Sequence, residues 1–350
     1  MQVIDEELDI SKNDSYSLIS KYYPGKKFMM FDIETTGLSP LRSFIYLIGV
    51  NIFKNGRWHI IQYFNDDGRS ESEIIQIFED LITSYDILIE FNGDTFDIPF
   101  VSKRIEQIKL HTGKIISNNF NKISTIDLMK KIRPYKYALG LPNIKQKTIE
   151  KYLEIYREDK FNGGQLIDVY LNFLSSHSEK EKSLVLMHNR DDMEGMLFLT
   201  PIFNIDAISE GLFNNITVST KTKNNSLYFF TGCILSEPVP EKIIASMIGI
   251  DLTACDDKLC LTVPIYHTSL RPFPYTSAPA CTKIEYDLHE SLFIPDSNCK
   301  NREILHYKES RKSKYSYIEL TDEFLGSTSA LHNYIQEISS EILHNKIILK

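Results

Sequence analysis

Two acids two residues apart, Asp32 and Glu34, close an apolar run at residues 27–33. In a strand, positions i and i+2 face the same side, so both carboxylates project together from the strand's end. Side by side they repel unless a cation lies between them. A hard cation such as Mg²⁺ prefers oxygen ligands of this kind. Taken alone, the pair is equally a strand that ends in solvent with two surface acids. A second acid follows a second apolar run. Asn92-Gly93 ends residues 86–91, and Asp97 arrives where a helix should begin. Asp94 is the better helix cap by position, which leaves Asp97 near the sheet edge where ligands of open α/β sheets gather. His188 and Asp192 form a third pair, at i and i+4 on one face of a helical stretch. Such a pair can hold a metal ion and a proton acceptor together, or be a solvated ion pair.

The elements that must position these residues follow from periodicity. Residues 44–53 and 57–64 are apolar runs joined by Lys54-Asn55-Gly56, which carries the Asn-Gly hairpin signal. With residues 27–33 they predict an antiparallel meander. Ser70 with Glu73 fits a capping box, and Ile74, Ile77, Phe78, Leu81 and Ile82 fall on one helical face. Residues 86–91 predict a buried fourth strand, residues 95–107 a helix, and residues 123–126 a strand or turn. Helices are expected over 141–153, 164–175 and 180–199. Three antiparallel strands followed by alternating helix and strand imply an α/β mixed sheet flanked by helices. Residues 1–24 read as a polar lead-in and 25–203 as the main domain. From 204 the chain turns rich in Asn and Ser, with short apolar runs at 227–235, 259–266 and 316–320, prolines at 238–240 and 272–279, and a closing helix over 327–343. That pattern predicts a smaller β-rich domain over 204–350, with 14 basic and 18 acidic residues, hence no obvious nucleic-acid tail.

Composition narrows the function class. The 350 residues are 42% hydrophobic and 25% charged, as in a globular protein. The longest apolar run, residues 44–53, falls short of the roughly 20 residues that span a bilayer. The N-terminus is acidic and lacks the order of a signal peptide, so a cytoplasmic protein without a membrane partner is expected. A net charge of −8 argues against a protein that coats duplex DNA, but an acidic site loaded with metal ions still attracts phosphate. Cys233, Cys255, Cys260, Cys281 and Cys299 include no CxxC pair. They read as free thiols, with a zinc site of Cys255, Cys260 and His267 as the remote alternative. Residues 130–151 hold seven basic side chains and one acid, interleaved with Tyr135 and Tyr137. That strip is either a single-strand binding surface or a solvated helix face.

Read in order, D-x-E, N-G-x-x-F-D and H-x-x-x-D resemble the three exonuclease motifs of the DEDD superfamily, with the RNase H-like fold. The closest likeness is to the YprB-type bacterial RNase H-like exonuclease domain family. It covers residues 27–203 and includes Leu141-Pro142-Asn143 and Asn162-Gly163-Gly164, each before a helix. Three residues separate His188 from Asp192, the interval of the tyrosine-type members. The resemblance implies a 3′→5′ exonuclease acting on the 3′ end of single-stranded DNA or RNA and releasing nucleoside 5′-monophosphates. Two Mg²⁺ ions, or Mn²⁺, about 3.5–4 Å apart are implied. Asp32 would bridge them, Glu34 and Asp192 would hold one, Asp97 the other, and His188 would orient or deprotonate the attacking water. The implied substrate contacts are Thr35, Thr36, Leu38, Asn92 and Phe96, with Tyr135 and Lys136 from the basic strip. The competing reading is a catalytically inactive RNase H-like module that binds nucleic acid or a protein partner.

Overall fold

A computed structural model describes residues 1–8, 15–157, 161, 163–269, 271–273, 288–295, 306–308 and 315–344. Asn162, Cys281, Cys299 and residues 274–279 of the proline-rich stretch lie outside them. The chain divides into two units, Met1–Arg133 with Asn143–Pro201, and Pro134–Pro142 with Ile202–Lys350.

The first unit contains β1 (Gln2–Glu7), α1 (Ser15–Tyr22), β2 (Phe28–Thr35), β3 (Ile45–Lys54), β4 (Arg57–Phe64), α2 (Glu71–Ile82), β5 (Ile87–Glu90), α3 (Asp97–Thr112), β6 (Ser124–Asp127), α4 (Leu128–Ile132), α5 (Gln146–Tyr152), α6 (Gly163–Ser176) and α7 (Glu179–Leu199). Its six strands run in the order β1-β4-β3-β2-β5-β6. The first four pair antiparallel, whereas β5 is parallel to β2 and β6 to β5. The mixed α/β sheet expected from the sequence is therefore present. Asn55 and Gly56 both take positive φ, 54° and 80°, as a two-residue hairpin between β3 and β4 requires.

The polar lead-in contributes a strand of its own. β1 joins the sheet edge beside β4, held by ion pairs Asp5–Lys54 and Glu7–Arg57 and by a hydrogen bond between His59 and Asp5. Charged side chains on an edge strand also discourage pairing with another chain.

Met29, Phe31 and Ile33 of β2 turn to one face and pack with Ile74, Ile75, Phe78 and Ile82 of α2 and with Phe100, Val101, Ile105 and Ile108 of α3. Phe31 stacks on Phe78 at 5.0 Å between centroids. Each side chain of this size contributes about 1.5–3 kcal/mol on full burial. Arg104 of α3 grips Glu71 of α2 with two hydrogen bonds of 2.8 and 2.7 Å, and Glu71 also accepts from the Ile45 N–H of β3 at 2.9 Å. The Ser70–Glu73 box does not form. The Ser70 hydroxyl instead donates to Asp67 at 2.8 Å. On the opposite face Tyr46 and Phe64 pack with Leu166, Tyr170 and Phe173 of α6 and Val185 of α7.

Glu79 is fully buried on α2, where one oxygen accepts from the Asn119 N–H at 2.7 Å and the other has no hydrogen-bond partner. Burial pushes its carboxyl up to about 7. The native state thus keeps a proton that the unfolded chain releases near pH 4.5, and stability falls as pH rises from about 4.5 to about 7. Glu79→Gln should remove on the order of 2 kcal/mol of that loss. Urea melts at pH 5 and pH 8 measure it, and an unchanged difference between the two would exclude Glu79 as the cause.

The second unit contains α8 (Phe203–Glu210), β7 (Phe213–Lys223), β8 (Ser226–Leu235), β9 (Ile243–Met247), β10 (Ile250–Cys255), β11 (Lys258–Ser269), β12 (Arg271–Phe273), β13 (Leu288–Pro295), β14 (His306–Lys308), β15 (Tyr315–Glu319), α9 (Asp322–Gly326) and α10 (Thr328–His344). Its antiparallel sheet runs β12-β14-β15-β13-β11-β10-β9, with β8 also pairing with β11 and β7 with β8. The β-rich character and the closing helix match the sequence expectation. Tyr334 of α10 is buried under this sheet and donates to the Phe293 carbonyl at 3.0 Å. No helix among the described residues is long and apolar enough to cross a membrane.

Candidate active site

Alternation along β2 sends Met29, Phe31 and Ile33 toward α2 and α3, so Asp32 and Glu34 face the helices α6 and α7. Across the sheet Asp32 pairs with Gly49 of β3. Gly49 leaves room that any larger residue would fill, because a Cβ there would stand 2.2 Å from Asn189 Oδ1. Asn189 of α7 enters that space. Its amide donates to Asp32 Oδ2 at 3.0 Å, and its oxygen accepts from Gln62 Nε2 of β4 at 3.0 Å. Gln62 also donates to the Leu186 carbonyl at 2.9 Å. α7 is thereby fastened to β2 and β4 at the carboxylate.

The same helix presents His188 and Asp192. His188 Nε2 is 3.5 Å from Glu34 Oε1 and 3.3 Å from Asp192 Oδ2. Ligand atoms of Glu34, His188 and Asp192 all lie within 4.8 Å of one another. Tyr46 of β3, fully buried, donates its hydroxyl to Glu34 Oε2 at 3.4 Å. Asp97 opens α3, and its Oδ1 accepts from the Ile33 N–H at 3.2 Å. That bond brings it beside Asp32 at the end of β2. The helix is entered through Phe96 with no side-chain cap. Asp94 is not the expected cap: it accepts from the Thr125 hydroxyl at 3.1 Å and pairs with Lys130 at 2.5 Å.

The electrostatics record this convergence. Burial pushes the Asp32 carboxyl well above the usual carboxylate range, and the charges of Asp97, Glu34 and Asp192 push it further. Asn189 opposes that shift. Burial likewise raises Asp97 to about 7, against the pull of the Ile33 N–H. Crowded carboxylates of this kind fit divalent cations, which remove the repulsion that otherwise holds protons on them. The carboxylate oxygens form a donor set that suits a divalent metal ion.

Arg157 is a feature that the motifs did not foretell. Its guanidinium is buried, donates to Glu150 of α5 through two nitrogens and donates to Asp192 through the third. Gln146 of α5 donates to the Asp192 carbonyl at 2.8 Å and to Glu150 at 3.0 Å. Asn189 lies next to His188 in sequence, and a glycine inside an apolar strand signals a close approach. Those two signals were legible. Arg157 and Glu150 carry none.

The remaining expected residues fall in different places. The Thr35 hydroxyl donates to the Gly37 carbonyl at 2.9 Å, and Thr36 exchanges hydrogen bonds with the Phe44 backbone. Leu38 is 86% exposed. Asn92, at φ 66°, accepts from Thr95 at 2.7 Å, and the Phe96 ring lies 5.4 Å from that of Phe100. Tyr135 belongs to the second unit, where it is 2% exposed and its hydroxyl bonds to Asp206 at 2.5 Å. It offers no face for a base. Lys136, also in the second unit, lies 5.4 Å over the Tyr137 ring. The basic strip is thus divided between the two units. Cys255, Cys260 and His267 are not among the described groups whose ligand atoms gather within 4.8 Å.

Residues 29–203 match the profile of the RNase H superfamily. The chain belongs to the RNase H superfamily. This RNase H-type domain contains all four acids. Among solved structures the chain is similar to the family B DNA polymerase of the hyperthermophilic archaeon Pyrobaculum calidifontis, with 17% identity and a TM-score of 0.41, over 54% of this chain and 26% of that one. It is also similar to the zinc-bound ExoI–ssDNA complex of E. coli, with 12% identity and a TM-score of 0.27, over 60% of this chain and 55% of that one. The chain covers less than two thirds of either protein's length. No curated protein matches it.

Proposed function

We propose that this RNase H-type domain is a metal-dependent 3′→5′ exonuclease of the DEDD group, nearest the YprB type, that degrades single-stranded nucleic acid from its 3′ end. The nearness of Glu34, Asp97 and Asp192 to Asp32, with His188 beside Glu34 and Asp192, supports the reading. Asp32, Glu34, Asp97 and Asp192 would hold two Mg²⁺ ions, with Mn²⁺ as a substitute. When bound, such ions polarise the phosphoryl oxygens, lower the pKa of water and stabilise the leaving oxygen.

The chain's own residues supply the rest. Glu34 and Asp192 flank His188 Nε2, so that nitrogen can accept the proton of a water held by the two acids. The water oxygen forms a bond to the terminal phosphorus while the bond from phosphorus to the penultimate O3′ breaks. The products are a nucleoside 5′-monophosphate and a strand with a new 3′-OH. Asn189 and Gln62 keep Asp32 oriented, and Tyr46 steadies Glu34.

One observation favours an inactive binding module. Arg157 already supplies a positive charge to Asp192. Matched DNA and RNA oligonucleotides, labelled at either end, separate the readings. The expected result is release of 3′ label as mononucleotide with Mg²⁺ or Mn²⁺ and none with EDTA. Retention of the oligonucleotide without any cleavage under every metal condition would instead make the domain a binding module. A preference for RNA over DNA would reveal a contact to the 2′-OH.

A further inference from the structure

A second acidic group lies outside the proposed active site. Glu90 ends β5 and Asp127 ends β6, and the two are partners across the parallel strand pair. Glu90 shares its parity with Leu88, which packs in the core beneath α2 and α3. The pair therefore occupies the sheet face opposite Asp32 and Glu34. Asp94, in the turn between β5 and α3, completes the group, and one ligand oxygen from each acid lies within 4.8 Å of the others.

Two oxygens in this group lack partners. Glu90 is fully buried; its Oε2 accepts from the Gly93 N–H, but Oε1 has no hydrogen-bond partner. Asp127 is 4% exposed; its Oδ1 accepts from the N–H groups of Asn92 at 3.0 Å and Lys130 at 3.2 Å, while Oδ2 has none. A buried carboxylate oxygen without a donor is costly. A cleft of about 720 Å³ opens beside the group. Asp94 and Asp127 form part of its wall, together with Lys122 and Lys130. Solvent thus reaches the acids from one side while Glu90 closes the other.

We propose that Glu90, Asp94 and Asp127 form a binding site for one hard divalent cation, distinct from the proposed catalytic pair. Three carboxylates on a rigid strand pair and a tight turn supply the oxygen set that Mg²⁺, Mn²⁺ or Ca²⁺ prefers. The cleft leaves room for the water ligands such ions retain. Lys130, whose ammonium now pairs with Asp94, is 48% exposed, so its pair is weak and yields to the ion. A bound cation would tie residues 91–96, the turn that delivers Asp97, to the end of β6. Its role is to fix the approach of α3 to the site on the other face.

Mn²⁺ calorimetry on the full chain tests the proposal in a background of Asp32→Asn with Asp192→Asn, which disables the proposed catalytic set. One Mn²⁺ per chain should still bind. Adding Asp94→Asn, a change at a partly exposed position, should weaken it at least ten-fold, and adding Glu90→Gln with Asp127→Asn should abolish it. Circular dichroism checks that each variant is folded. No Mn²⁺ in the background variant would overturn the site and assign the acid pair to a shared proton. Binding that Asp94→Asn leaves unchanged would overturn it too. A wild type that binds no more Mn²⁺ than the background variant counts against the exonuclease reading and leaves this site standing.

Discussion

Asp32→Asn should abolish the proposed cleavage and at the same time stabilise the metal-free protein at pH 8. The two effects share one cause. Asp32 lies where the charges of Asp97, Glu34 and Asp192 meet. An amide there removes a charge that the proposed divalent ions need and that the metal-free fold must otherwise tolerate. Loss of several kcal/mol of metal-borne transition-state stabilisation lowers kcat/KM by about 10³-fold or more. Relief of repulsion is worth on the order of 1 kcal/mol, or roughly 2–4 °C in Tm. The sign with pH follows from the raised carboxyl. The native state holds that proton where the unfolded chain has lost it, so the penalty grows as pH rises above the unfolded carboxylate value. The Tm gain in EDTA should therefore shrink from pH 8 toward pH 5. The substituted side chain keeps one carbonyl oxygen that can accept from the Asn189 amide, so the fold is not expected to suffer. Activity above about 1% of wild type would remove Asp32 from the reaction.

The second large effect comes from a residue that bears no functional group. Gly49→Ala puts a Cβ 2.2 Å from Asn189 Oδ1 and 2.9 Å from its Cγ. Asn189 cannot simply swing aside, because Gln62 and Asp32 hold its two ends. α7 must shift outward and take His188 and Asp192 with it. Overpacking of this kind costs about 1–3 kcal/mol, and a displacement near 1 Å at a reacting centre costs about 10²-fold in rate. Urea denaturation and single-turnover kinetics read the two losses separately. Combining Gly49→Ala with Asn189→Ala should restore most of the stability but not the rate, since Asp32 then lacks its anchor. A Gly49→Ala enzyme with wild-type stability and rate would show that α7 does not depend on this contact.

The amino-acid sequence by itself singled out four acids that the fold brings near one another, and most of the elements that hold them. The i, i+2 spacing of Asp32 and Glu34 and the i, i+4 spacing of His188 and Asp192 are local rules of strand and helix. The Asn55-Gly56 hairpin and the helical face of α2 are equally local. Local rules misjudged β1, whose acidic residues are held by partners distant in the chain, Lys54, Arg57 and Arg190. They also misplaced Tyr135, aromatic in a basic strip yet buried in the other unit. Only the tertiary structure decided that Asn189 reaches Asp32 over Gly49, that Arg157, anchored on Glu150, holds Asp192, and that Glu90 and Asp127 meet across β5 and β6. Those contacts join residues far apart in the chain. Each depends on the register of a sheet and the depth at which a helix packs, which no short window of sequence encodes.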